Sequence, residues 1–120
     1  MDKVELAMQE ILSYIGSIPS VSFVELDQLL ENKNLLDLIN DTILIGLPKY
    51  PEIVLWATQN QILAKSIDNL LFEKKITVKI CDRLIYELDG KVLRFPIATQ
   101  IRHYQEHHWI PVLLYLRHIQ

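Results

Sequence analysis

The feature that most constrains this chain is a change of hydrophobic period between residues 58 and 81. Ile62, Leu63, Ile67, Leu70 and Leu71 recur at helical spacing, and then Ile76, Val78 and Ile80 alternate with Thr77, Lys79 and Cys81. The first stretch predicts an amphipathic helix over 58–73 and the second a strand near 76–81, buried on one side. The N-terminal part shows only the longer period. Val4, Met8, Ile11 and Ile15 form one helical stripe that Gly16 and Pro19 interrupt. Ser22 and Glu25 stand at capping-box spacing ahead of Phe23, Leu26, Leu29 and Leu30, so a second helix is expected there. "LLDLIND", after Asn34, reads as a third, short helix. The expected class is therefore α+β. It is helical over about residues 1–45, with a further helix and a small antiparallel sheet over about 46–120.

The remaining segments fill in that sheet. In "TILIGLPKYPEIVLWAT" two apolar runs, Ile43 to Leu47 and Ile53 to Trp56, flank a Pro-Lys-Tyr-Pro turn. They form a hairpin, or the tail of a helix followed by one strand, and period alone does not choose. Thr58 and Gln61 offer a second capping box for the helix that follows. "YELDGKVL" places Asp89-Gly90 between alternating runs, which predicts a hairpin of strands near 84–88 and 91–95. Ile97, Ile101 and Tyr104 are spaced for a short helix. "WIPVLLYLR" reads as an apolar strand that, because Pro111 cannot donate to a ladder, lies at an edge or starts pairing after the proline. A length of 120 residues, with no internal repeat and no linker-like stretch, fits one domain over 1–120.

The order apolar helix, small-residue break, capped helix in "ILSYIGSIPSVSFVELDQLL" resembles the opening of a winged-helix domain. A helix over 58–73 followed by three strands resembles the end of one. The resemblance implies a binding module, with DNA as a partner, and makes helix 58–73 the element presented to it. On that helix and the sheet after it, the candidate nucleic-acid contacts are Gln59, Asn60, Gln61, Lys65, Asn69, Lys75, Lys79, Arg83 and Arg94. Gln and Asn pair with adenine edges, and Lys and Arg hold phosphate or guanine. The charge is only partly in keeping. Residues 1–64 carry nine acids against three lysines, and residues 65–120 nine basic residues against six acids. The net value is −3, and the basic residues alternate with acids instead of forming the dense stripe that phosphate binding favours. The alternative role is a protein-interaction or assembly domain without DNA contacts, a second copy of the chain being one such partner. Trp56, Trp109 and Tyr115 are its candidate aromatic anchors.

Catalysis finds little support. "RHYQEHHW" contains His103, Glu106 and His107 at the spacing of the inverted zinc-protease motif, and on a helix the two imidazoles would share a face. Only 13 residues follow His107, and none of them is the acidic ligand that motif requires. The expectation is therefore exposed histidines with Tyr104 and Trp109 turned inward, and metal binding through this cluster is the remote alternative. Cys81 has only Lys79 near it to lower its pKa, so it reads as a plain small residue. The three glycines, at 16, 46 and 90, build no phosphate loop, and no cofactor is expected. An acidic N-terminus unlike a signal peptide, a lone cysteine and no long apolar span point to the cytoplasm rather than a membrane.

Overall fold

The computed structural model describes residues 1–117, and its three longer helices each begin on a side-chain cap. In α1 (Lys3–Ser17) the Asp2 carboxylate accepts the Glu5 N–H at 2.8 Å. In α2 (Phe23–Asn32) Ser22 and Glu25 complete the capping box, each side chain accepting the other's backbone N–H at 3.2 Å. In α3 (Gln61–Phe72) the cap is Asn60, whose Oδ1 accepts from Ile62 at 3.1 Å. These contacts satisfy N–H groups that the first turn of a helix leaves without partners.

Two sheets follow. The strands β1 (Leu38–Leu47) and β2 (Tyr50–Asn60) form an antiparallel hairpin around Pro48 and Lys49, and β4 (His108–Trp109) runs parallel on the far side of β2. Ile53, Val54, Leu55 and Trp56 of β2 are all buried, so this strand is covered on both faces. Gly46 permits the tight return, because a Cβ there would stand 3.1 Å from the Pro51 carbonyl oxygen. The second sheet pairs β3 (Ile76–Ile80) with β5 (Val112–Leu116) antiparallel, and Val21 bridges to Leu114 on the outer side of β5. The last strand thus lies between the start of the chain and its middle.

The core joins both sheets to the buried faces of α1 (Ala7, Ile11, Ile15), α2 (Phe23, Leu26, Leu30) and α3 (Ile62, Leu63, Ile67, Leu70). A column of aromatic rings runs through it. Phe23 stacks on Trp56 at 5.8 Å, Trp56 meets Tyr86 at 5.2 Å, and Tyr86 meets Trp109 edge-on at 5.7 Å. The Tyr86 hydroxyl is fully used: it donates to the Val112 carbonyl at 2.6 Å and accepts the Phe23 N–H at 3.1 Å. Burial pushes this phenol well above its ordinary pKa. The class is α+β. No helix among the described residues is long and apolar enough to cross a membrane.

Four local expectations are corrected. "LLDLIND" is no helix. Asn34, at φ 57°, closes α2 in a left-handed turn with Leu35 N–H on the Leu30 carbonyl, and the chain then extends into β1 from Leu38. The helical part therefore ends before residue 38 and not near 45. The helix foreseen from Thr58 starts at Gln61, because residues 58–60 still belong to β2 and Asn60 takes the capping role. The hairpin around Asp89-Gly90 is instead α4 (Leu84–Glu87) ending in a left-handed turn: Gly90, at φ 66°, donates to the Glu87 carbonyl and Lys91 to that of Tyr86. A glycine with positive φ serves a hairpin and a helix end equally well, and here the helical bonds of Glu87 N–H to the Arg83 carbonyl and Leu88 N–H to that of Leu84 make it a helix end. Finally, residues 97–104 form no helix, only bends and a single bridge from Ile97 to Trp109.

Candidate functional site

The structure divides the nine candidate nucleic-acid residues among several surfaces. Gln61 and Lys65 lie exposed on the outward stripe of α3, which continues through Asp68 to an exposed Phe72 and is charge-neutral. Gln59 is exposed at the end of β2 and donates to the Asn40 carbonyl. Asn60 is unavailable to any partner. It is buried, with Oδ1 accepting from Asp37 and Ile62 and its amide nitrogen donating to Leu35. Asn69 is half-buried and turns its amide toward the Met8 sulfur. Arg83 pairs with Glu87 at 2.8 Å beside α4, and Arg94 stands exposed in the segment after it.

Lys75 and Lys79 share a second face, the outer face of the β3–β5 sheet, where alternation sets Tyr115 and Arg117 beside them. The Lys79 ammonium lies 4.7 Å over the Tyr115 ring, while Lys75 is paired with Glu73 at 3.1 Å. A groove of about 510 Å³ runs between this face and the end of α1, lined by Ile18, Thr77, Lys79, Tyr115 and Arg117 among others.

The histidine stretch does not converge. Without the helix, His103 turns its Nδ1 to Glu52 at 2.5 Å, His107 meets the Phe95 ring edge-on, and His108 stacks on Tyr104 at 4.0 Å. The Glu52 carboxyl is held below its ordinary pKa, first by backbone N–H donors and then by His103. Trp109 is buried and Tyr104 partly so. Among the described residues no group of three or more His, Cys, Asp or Glu stands where it would hold a metal ion. Burial, and then the Asp82 carboxylate, push the Cys81 thiol up, away from a reactive thiolate.

The surface that departs most from an ordinary exterior is α4. Its one buried side chain is Tyr86, and the helical wheel therefore turns Leu84, Leu88 and Ile85 outward. Leu88 is 77% exposed and Leu84 51%. Ile80 at the end of β3 and Val92 after the turn extend this apolar run on either side of the helix in sequence, each about half exposed. Arg83, Glu87 and Val92 also line a cavity of about 270 Å³, whose other walls are Leu93, Phe95, Ile97 and Trp109. The Trp109 indole N–H is buried with no partner among the described residues. Reading residues 84–88 as a strand hid this surface, because alternation would send Leu84, Tyr86 and Leu88 to the same inner side. The helical spacing of 84, 85 and 88 opposite Tyr86 was the signal that reveals it. Comparison with protein-family models, curated proteins and solved structures finds no match for this chain.

Proposed function

We propose that this chain is a non-enzymatic protein-interaction module, which meets its partner through the ridge Leu84, Ile85 and Leu88 of α4 and the cavity beside it. The supporting observation is the inversion of that helix: its aromatic residue is buried and its aliphatic residues face water. Exposed contiguous apolar side chains rimmed by charge are a usual sign of a protein contact. Here the rim is Asp82, Arg83, Glu87 and Asp89. The partner fitting this surface is a protein segment with an apolar side chain for the cavity and aliphatic contacts for the ridge. A reducing cytoplasm is the setting that goes with the lone cysteine.

The test is the double substitution Leu84→Glu, Leu88→Glu. Both side chains are exposed, so folding stability should change by no more than about 0.5 kcal/mol. Wild type and variant are used as baits in extract from cells that make the protein. The expected result is a protein held by the wild type, lost by the variant, and bound in the same way when purified. Equal recovery of every captured protein by both baits would sink the proposal.

DNA binding, the role implied by the winged-helix resemblance, is the second reading, and it draws on one observation. Lys75, Lys79 and Arg117 share a sheet face with Tyr115, a combination of cations and an aromatic ring suited to a nucleic-acid backbone and base. Affinity for mixed duplex at about 50 mM salt that falls steeply with added salt and is lost on Lys79→Glu supports this reading. No binding at that salt removes it.

A further inference from the structure

We propose that the free edge of β3 pairs antiparallel with β3 of a second copy, joining the two β3–β5 sheets into one. This goes beyond the role given to α4 and does not depend on it.

The hydrogen bonds of β3 fix which backbone groups are free. Cys81 N–H donates to the Pro111 carbonyl, and Arg117 N–H donates to the Lys75 carbonyl. In an antiparallel ladder the residues bonded to one neighbour alternate with those that point away. Residues 75, 77, 79 and 81 are thus turned to β5, and Ile76, Val78 and Ile80 direct their N–H and C=O groups outward. No backbone partner meets these groups among the described residues.

The other edges are closed or spoiled. The outer side of β5 is bridged by Val21, and that of β4 by Ile97. The edge strand β1 has three breaks of register against β2, and such irregularities disfavour pairing with another chain. β3, in contrast, pairs with β5 without a shift of register from Ile76 to Ile80.

A two-fold axis through Val78 satisfies the free groups. It sets Val78 opposite Val78 of the second copy, and Ile76 opposite Ile80, in hydrogen-bonded pairs. Ile80 is 58% exposed in the single chain, and its cross-strand neighbour would be an isoleucine. The charges suit the same register. Lys79 faces Thr77 and Lys75 faces Cys81, so no two lysines oppose each other. Just beyond the strand, Lys74 stands next to Asp82 of the second copy. Such a contact is isologous and closes as a dimer.

Sedimentation over a concentration series up to about 200 µM tests the pairing. The mass should rise from 14.1 kDa toward twice that value, and Val78→Pro, which removes an outward N–H, should keep the protein monomeric throughout. Persistence of the dimer in a folded Val78→Pro protein, or a wild type that stays monomeric, overturns the proposal. Register is tested separately in case the proline variant does not fold. With Cys81→Ser as background, Thr77→Cys and Lys79→Cys together form a non-hydrogen-bonded cross-strand pair, with Cα atoms about 4.5 Å apart across the axis. Within one strand the Cβ atoms of these two positions are too distant to bond. Mild oxidation should give a dimer whose peptide map shows position 77 of one copy linked to position 79 of the other. Absence of that link overturns the register. The Leu84→Glu, Leu88→Glu protein should still dimerise, so loss of its captured partner and loss of self-association report on different surfaces.

Discussion

At the scale of single residues, Tyr86 carries the most structure. Its hydroxyl holds the start of α2 and the start of β5 together from the centre of the core. Tyr86→Phe leaves the Phe23 N–H and the Val112 carbonyl without that partner, which should cost about 2 to 4 kcal/mol. Urea denaturation would show this as a lower midpoint with the slope unchanged. Asp27 is a contrasting case. Its carboxylate accepts from the Trp56 indole at 3.0 Å, yet burial outweighs that bond and raises its pKa. A raised carboxyl pKa means that the folded state favours the proton. The charged form therefore costs stability above the folded pKa, and this cost disappears below the unfolded value near 3.8. Asp27→Asn keeps the acceptor and removes the charge. The difference between variant and wild type should grow in the variant's favour as pH rises from the unfolded value through the folded one. It should then stay constant, which denaturation at a series of pH values would check.

At the scale of elements, helix ends decide the course of the chain. Three helices finish in left-handed turns, at Asn34, Lys74 and Gly90, and only the last uses glycine. Lys74 carries a Cβ at φ 58°, so Lys74→Gly should raise stability by about 0.5 to 1 kcal/mol, measurable as a higher unfolding midpoint. These turns also mark where the sequence was legible. Helical stripes located α1, α2 and α3, capping spacing fixed the start of α2 but misplaced that of α3, and alternation located β3, because stripes and alternation rest on a local period. The Asp89-Gly90 turn was legible as a turn but not as a helix end, since positive φ is common to both. The switch from α2 into β1 was hidden because Leu35, Leu36 and Leu38 suit either period. Only the pairing of β1 with β2, a contact distant in sequence, resolves it. The candidate nucleic-acid set fared similarly. Asn60 looked like an exposed reader until its cap and its bond to Leu35 were visible.

At the scale of the whole molecule, the aromatic column and β5 tie the N-terminal helices to the second sheet. Trp56 and Trp109 report from two points of that column. Their fluorescence and the far-ultraviolet circular dichroism signal should therefore lose structure in one coincident transition. Separate midpoints would mean that the helical and sheet-rich parts melt independently.

The position of β5 also bears on how the protein is made. Val21 and β3 both draw their hydrogen bonds from residues 112–116, which are synthesised long after them. On the ribosome the hairpin and helices emerge with their oily sides uncovered, and the seam between them closes only once residues 109–117 leave the exit tunnel. Until that moment the half-built chain carries apolar surface that only its final strand covers.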